Sequence, residues 1–215
     1  MIISLGRKYI FVHAPKTAGT SMALALETRV MKDDIMLGDT PKAVKRRKLL
    51  RDVKTAGRLW KHSTLADVDG LVTPAQMDDA FIFTLVRNPW DRMVSYYHWL
   101  QKQKFEHYAV TLAQTKTFTD FVQDAVILAS FKATPARHYV TDASGKERCN
   151  AYIRIEHFPQ DVFYLVEHLK FDLDLEHVNK SERSADYRSY YTETTRAAVQ
   201  MACSEDIKSF GYSFE

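Results

Sequence analysis

The stretch Tyr9-Ile10-Phe11-Val12-His13-Ala14-Pro15-Lys16-Thr17-Ala18-Gly19-Thr20-Ser21 decides the fold. Its first five residues are a short β-prone apolar run, the pattern of a buried strand. The run stops in a turn of small residues from Ala14 to Ser21. Met22, Leu26 and Val30 then fall at helical spacing, which predicts a helix over 21–31. Strand, small-residue loop and helix in this order make a natural anion site. Small side chains let backbone N–H groups approach the anion, and the positive end of the helix dipole faces it. Lys16 adds a full charge, and Thr17, Thr20 and Ser21 add hydroxyl donors. The loop does not fit the Walker A pattern. Its lysine precedes the glycine, no glycine opens it, and no acidic partner is evident on a second strand. An ordinary kinase or NTPase is therefore disfavoured.

Working outward, a second buried strand is predicted over 80–86, ending at Arg87-Asn88-Pro89. Asn88 suits a helix cap and Pro89 the first helical position. That helix should run to about 103, with Trp90, Met93, Val94, Tyr97 and Leu100 as its apolar stripe. Its many aromatics read as core packing. Thr73-Pro74-Ala75-Gln76 has the form of a capping box and should open a short helix. Further helices are expected over 42–60, 117–129 (Phe118, Phe121, Val122 and Val126 inward), 159–169 and 192–208. A third strand is expected over 151–155. Strands alternating with helices argue for one α/β layered domain over 1–215 with a mainly parallel sheet.

The chain has 215 residues, 46% apolar and 27% charged, with 30 basic and 27 acidic side chains. This is globular composition, and so small a basic excess does not imply nucleic-acid binding. Cys149 and Cys203 show no metal-ligand or redox spacing and read as reduced thiols. No secretory leader and no membrane-length apolar run is visible, so a cytoplasmic setting is expected. Lys42, Lys45, Arg46, Arg47, Lys48, Arg51 and Lys54 crowd one segment. It is either a solvated helix face or a surface for an anionic substrate or for membrane headgroups.

Pro15-Lys16-Thr17-Ala18-Gly19-Thr20-Ser21 resembles the 5′-phosphosulfate-binding loop of sulfotransferases, which use 3′-phosphoadenosine-5′-phosphosulfate (PAPS) as sulfuryl donor and release PAP. Arg87-Asn88-Pro89-Trp90-Asp91-Arg92-Met93-Val94-Ser95 is similar to the family's R-x-P-x-x-R-x-x-S signature. The C-terminal part, about 177–214, looks like the ending of carbohydrate sulfotransferases of family 2. The resemblance implies a P-loop NTPase-like α/β domain of three layers, with a central mainly parallel sheet flanked by helices. It also implies that Arg87 and Ser95 hold the 3′-phosphate, and that Lys16 stabilises charge on the leaving nucleotide. Lys180, in Asn179-Lys180-Ser181, would neutralise the donor.

His62, in Lys61-His62-Ser63-Thr64, is the candidate general base, since imidazole suits that work near neutral pH. His13 reads as structural. Glu156 either orients substrate or forms an ion pair. The implied reaction needs no metal, and its acceptor is a hydroxyl, first of a carbohydrate, otherwise of a lipid or another small molecule. No nucleic-acid partner is expected, and peripheral membrane contact and oligomeric state stay open. The rival readings are a non-catalytic nucleotide-binding module and a divergent nucleotide kinase.

Overall fold

The computed structural model describes residues 1–175, 184 and 186–215. Two compact units emerge: Met1–Val86 with Ala136–Asn179, and Arg87–Pro135 with Lys180–Glu215.

The first unit is built on one five-stranded sheet. Its strands are β1 (Ile2–Ser4), β2 (Tyr9–Val12), β3 (Ile35–Met36), β4 (Phe81–Val86) and β5 (Ala151–Arg154), in the spatial order β3-β1-β2-β4-β5. β2, β4 and β5 pair in parallel, and β1 is antiparallel to both β2 and β3. Hence β3 shares the direction of the central three, and β1 alone runs against them. Side chains alternate across β2. Tyr9 and Phe11 join a cluster with Met22, Leu26, Phe83, Leu85, Ile153 and Leu165. Ile10 and Val12 join the opposite cluster with Ile3, Leu65, Val68, Met77 and Ile82. That is the period-two pattern of a sheet covered on both faces. Each fully buried large side chain contributes about 1.5–3 kcal/mol. The helices of this unit are α1 (Gly19–Glu27), α2 (Pro41–Arg46), α3 (Pro74–Asp78) and the pieces 136–139, 158–161 and 163–169.

The second unit is helical: α4 (Pro89–Gln101), α5 (Tyr108–Thr115), α6 (Phe118–Gln123), α7 (Ala125–Ala133), and, after the pieces of the first unit, 193–202 and 204–210. The α4 stripe Trp90, Met93, Val94, Tyr97 and Leu100 packs with Phe118, Phe121, Val122, Phe131 and Val199. Its aromatics are core, as their spacing predicts. Asn88 fastens the entry to α4. Its side chain accepts from the Trp90 N–H and donates to Ser213 O at 2.8 Å and Tyr187 Oη at 3.2 Å.

Several local expectations are corrected. The basic segment 42–60 is not one helix. Only α2 is α-helical, a 3₁₀ turn covers Arg47–Leu50, and turns follow. The Ala56 and Gly57 amides bond instead to the carbonyls of Asp69 and Asp67. The helix expected over 117–129 is two. The Asp124 side chain accepts from the amides of Val126 and Ile127, which caps α7 and ends α6. Val126 consequently faces solvent. The helix after the first loop stops at Glu27, and Thr28 turns its hydroxyl back onto Ala25 O. The helix of 192–208 breaks at Cys203.

Candidate active site

The loop after β2 has the backbone of an anion cradle. Lys16 and Ala18 both sit in the left-handed region, at φ 65° and 61°, with Thr17 between them at negative φ. Alternating handedness turns successive N–H groups toward one concavity. The loop then opens α1, whose N-terminal amides add the positive end of the dipole. Each left-handed non-glycine residue costs about 1–2 kcal/mol, so the surroundings must enforce the shape. Part of that enforcement comes from Thr17. It is buried, and its Oγ1 donates to Ala14 O at 2.9 Å. Its hydroxyl therefore closes the loop here and does not stand free as a donor.

Gly19 is required for space and not for its φ. A Cβ at this position would overlap Cδ2 and Nε2 of the His13 ring. His13 thus fills the place of a side chain at the start of α1, buried at the end of β2.

His62 comes from 49 residues further along and reaches the same spot. Its Nδ1 lies 2.8 Å from His13 O, and the two rings meet edge to face at 4.6 Å. A carbonyl oxygen only accepts, so Nδ1 carries the proton and Nε2 keeps its lone pair. The supporting turn is tightly bonded. Ser63 Oγ donates within hydrogen-bond reach of Arg58 O and Trp60 O, and Thr64 and Asp67 bond each other reciprocally. Burial pushes the His62 pKa down to about 4, against the hydrogen bond to His13 O, which raises it. Burial likewise holds His13 well below its ordinary value. Both imidazoles are neutral at pH 7.

The second motif lies wholly in the helical unit. Arg87 grips Asp91, with Nη2 and Nε at 2.6 and 2.8 Å from Asp91 Oδ2. Asp91 occupies the first turn of α4, where a carboxylate is also favoured by the dipole. It is four residues before Ser95, so both lie on one helix face. The guanidinium is thereby tied to a residue on the helix face that also carries the buried Ser95. This ion pair was readable from the i,i+4 spacing of opposite charges, a signal that sequence reasoning missed. Arg92, in contrast, is buried, with Asp206 at 3.8 Å and the Phe131 ring at 5.2 Å.

Lys180 lies outside the described residues. Glu156 is in a 3₁₀ turn after β5. Cys149 and Cys203 are free thiols whose pKa values burial raises to about 12. Among the described residues no cluster of His, Cys, Asp and Glu could hold a metal ion, and no helix is long and apolar enough to cross a membrane.

The model of the Sulfotransferase family matches residues 1–213. Among solved structures, the chain is similar to mouse sulfotransferase SULT7A1 complexed with PAP. The TM-score is 0.55 at 15% identity, over 94% of this chain and 84% of the other. No curated protein sequence matches the chain.

Proposed function

The chain belongs to the sulfotransferase family, and from that premise we propose that it moves a sulfuryl group from PAPS to a hydroxyl of a carbohydrate. The donor supplies the sulfuryl group. The residues of this chain bind it, orient it and handle one proton. The backbone cradle of 16–21 holds the 5′ end, with Lys16 opposing the negative charge that grows on the bridging oxygen. Arg87, pre-aimed by Asp91, and Ser95 hold the 3′-phosphate; a guanidinium suits forked recognition of phosphate. His62 Nε2 takes the proton of the acceptor hydroxyl as the new O–S bond forms. The S–O bond to the nucleotide breaks on the opposite side, and the electron pair leaves with PAP. In-line transfer of this kind depends on positioning and charge stabilisation.

The observation that carries the reading is the pairing of an anion cradle with a histidine locked in the Nε2-basic tautomer at its edge. Turnover of labelled PAPS with a panel of glycan and lipid acceptors tests it. His62→Ala should cut turnover ~10²-fold or more while PAP affinity holds. Full activity in this variant would assign the base to another group. A thermal shift adds a second check. PAP without Mg²⁺ should stabilise the protein more than ATP with Mg²⁺ does; the reverse order would favour a kinase.

A further inference from the structure

We infer that the cavity at the carboxyl edge of the sheet receives the acceptor, and that the reacting end of that acceptor is an uncharged sugar unit. The inference rests on the sulfuryl-transfer reading above and names its substrate class.

The cavity lies within the sheet unit and encloses about 280 Å³. This is the small end of the ~300–1,000 Å³ range of small-molecule sites, room for one or two rings. α1 supplies Thr20, Ala23, Leu24 and Glu27, spaced three or four apart on one helix face. The end of β3 and the following turn supply Met36, Leu37, Gly38, Asp39 and Thr40. Thr20 belongs to the cradle and His13 to its flank, and Lys61 is the neighbour of His62 in the chain, so the cavity borders the loop that would hold the sulfuryl group.

The charge of the lining selects the ligand. Glu27 is buried, and one of its oxygens accepts from Thr40 Oγ1. Asp39 is the second carboxylate. Among the described residues Lys61 is the single lysine or arginine of the lining, and its Nζ is 2.8 Å from Asp39, which also pairs with Arg47. His13 is neutral. The Met1 amino group, also in the wall, donates to the carbonyls of Leu37 and Lys61, and burial lowers its pKa to about 4. Among the described residues no cation of this wall is therefore left to receive an acceptor carboxylate or sulfate, which would face Glu27 after losing its water. A neutral sugar meets the wall well. Its hydroxyls donate to carboxylate oxygens, and its C–H face packs on Ala23, Leu24 and Leu37. The exposed cations Lys45, Lys48, Arg51 and Lys54 are outside the lining, so the basic segment does not make this an anion pocket.

A matched pair of probes tests the inference: phenyl β-D-glucoside and phenyl β-D-glucuronide, which differ by one carboxylate. Their affinities are measured by calorimetry on the protein saturated with PAP. The glucoside should bind at least tenfold more tightly, and Glu27→Gln should narrow that ratio. Gly38→Leu should weaken glucoside binding at least tenfold with PAP affinity unchanged. A Cβ at Gly38 meets only Ala43 Cβ at 3.8 Å and Lys61 Cβ at 4.0 Å, and all three residues line the cavity, so there is space for the first carbon of a side chain there. Equal or tighter binding of the glucuronide, binding of neither probe, or indifference to Gly38→Leu would overturn the inference and leave sulfuryl transfer standing. Failure of PAP itself to bind would remove that reading, and the inference with it.

Discussion

His62 makes stability at acid pH a direct test of its buried, neutral state. Its pKa in the folded chain is about 4, against an ordinary 6.5. Between these values the unfolded chain takes up a proton that the folded chain refuses. The unfolded state then binds more protons, so stability falls as pH falls. Each pH step below 6.5 costs about 1.4 kcal/mol for one such group. From pH 7 to pH 5 the loss from His62 is therefore about 2 kcal/mol. His13 acts in the same direction and adds to the total. The perturbation is His62→Asn. An asparagine amide keeps a donor toward His13 O but has nothing to titrate. Urea unfolding followed by tryptophan fluorescence at both pH values supplies the measurement. The variant should lose about 2 kcal/mol less than the wild type over this interval, or about 4–8 °C less in Tm for a chain of this size. Equal losses would mean that His62 is solvated or already charged, and the base assignment would lose its footing.

Other outcomes follow from the same geometry. The acid limb of kcat/KM should lie near pH 4, where His62 protonates, and a limb near 6.5 would contradict the buried base. Arg87→Ala should weaken PAP by more than ~1.5 kcal/mol, and titration calorimetry showing unchanged affinity would remove Arg87 from the phosphate site. Ala18→Gly should stabilise the protein by about 1 kcal/mol through relief of the left-handed backbone, whereas Gly19→Ala should destabilise it, because the new Cβ must displace the His13 ring; denaturant midpoints that move together would refute this contrast. Asn88→Ala removes a cap and two bonds to the C-terminal segment, and should cost about 2 kcal/mol or more by the same assay.

What could be read from sequence divides along physical lines. β2 and β4 are legible because each is a compact apolar run, and β5 because its β-prone Tyr152 and Ile153 precede Arg154. β1 and β3, with three and two residues, are too short for a periodic signal. The breaks at Asp124 and Cys203 were hidden because apolar spacing continues through them, while a side-chain cap at Asp124 overrides it. In the basic segment, charge density looked like a helix face, yet Arg46 reaches the carbonyls of Met31 and Asp34 and Lys42 that of Glu27. These cations tie down neighbouring chain as well as facing water. At the candidate site, the loop is written in its small residues, while Arg87 and Ser95 are singled out by the resemblance of their motif to the family signature. The tautomer of His62 was not legible, since it depends on a carbonyl 49 residues away. Nor was the acidic wall of the cavity, which is assembled from separate segments.

The ring of His13 seated over Gly19 ties the fates of two positions six residues apart. Neither can drift alone: bulk gained at one must be surrendered at the other. Across descendants of this chain, an alanine or serine in the glycine's place should arrive with something smaller than imidazole in the histidine's. With that exchange His62 would forfeit the aromatic wall its own ring leans against, so a change of one methyl group at the mouth of a helix would be felt 43 positions further along the chain.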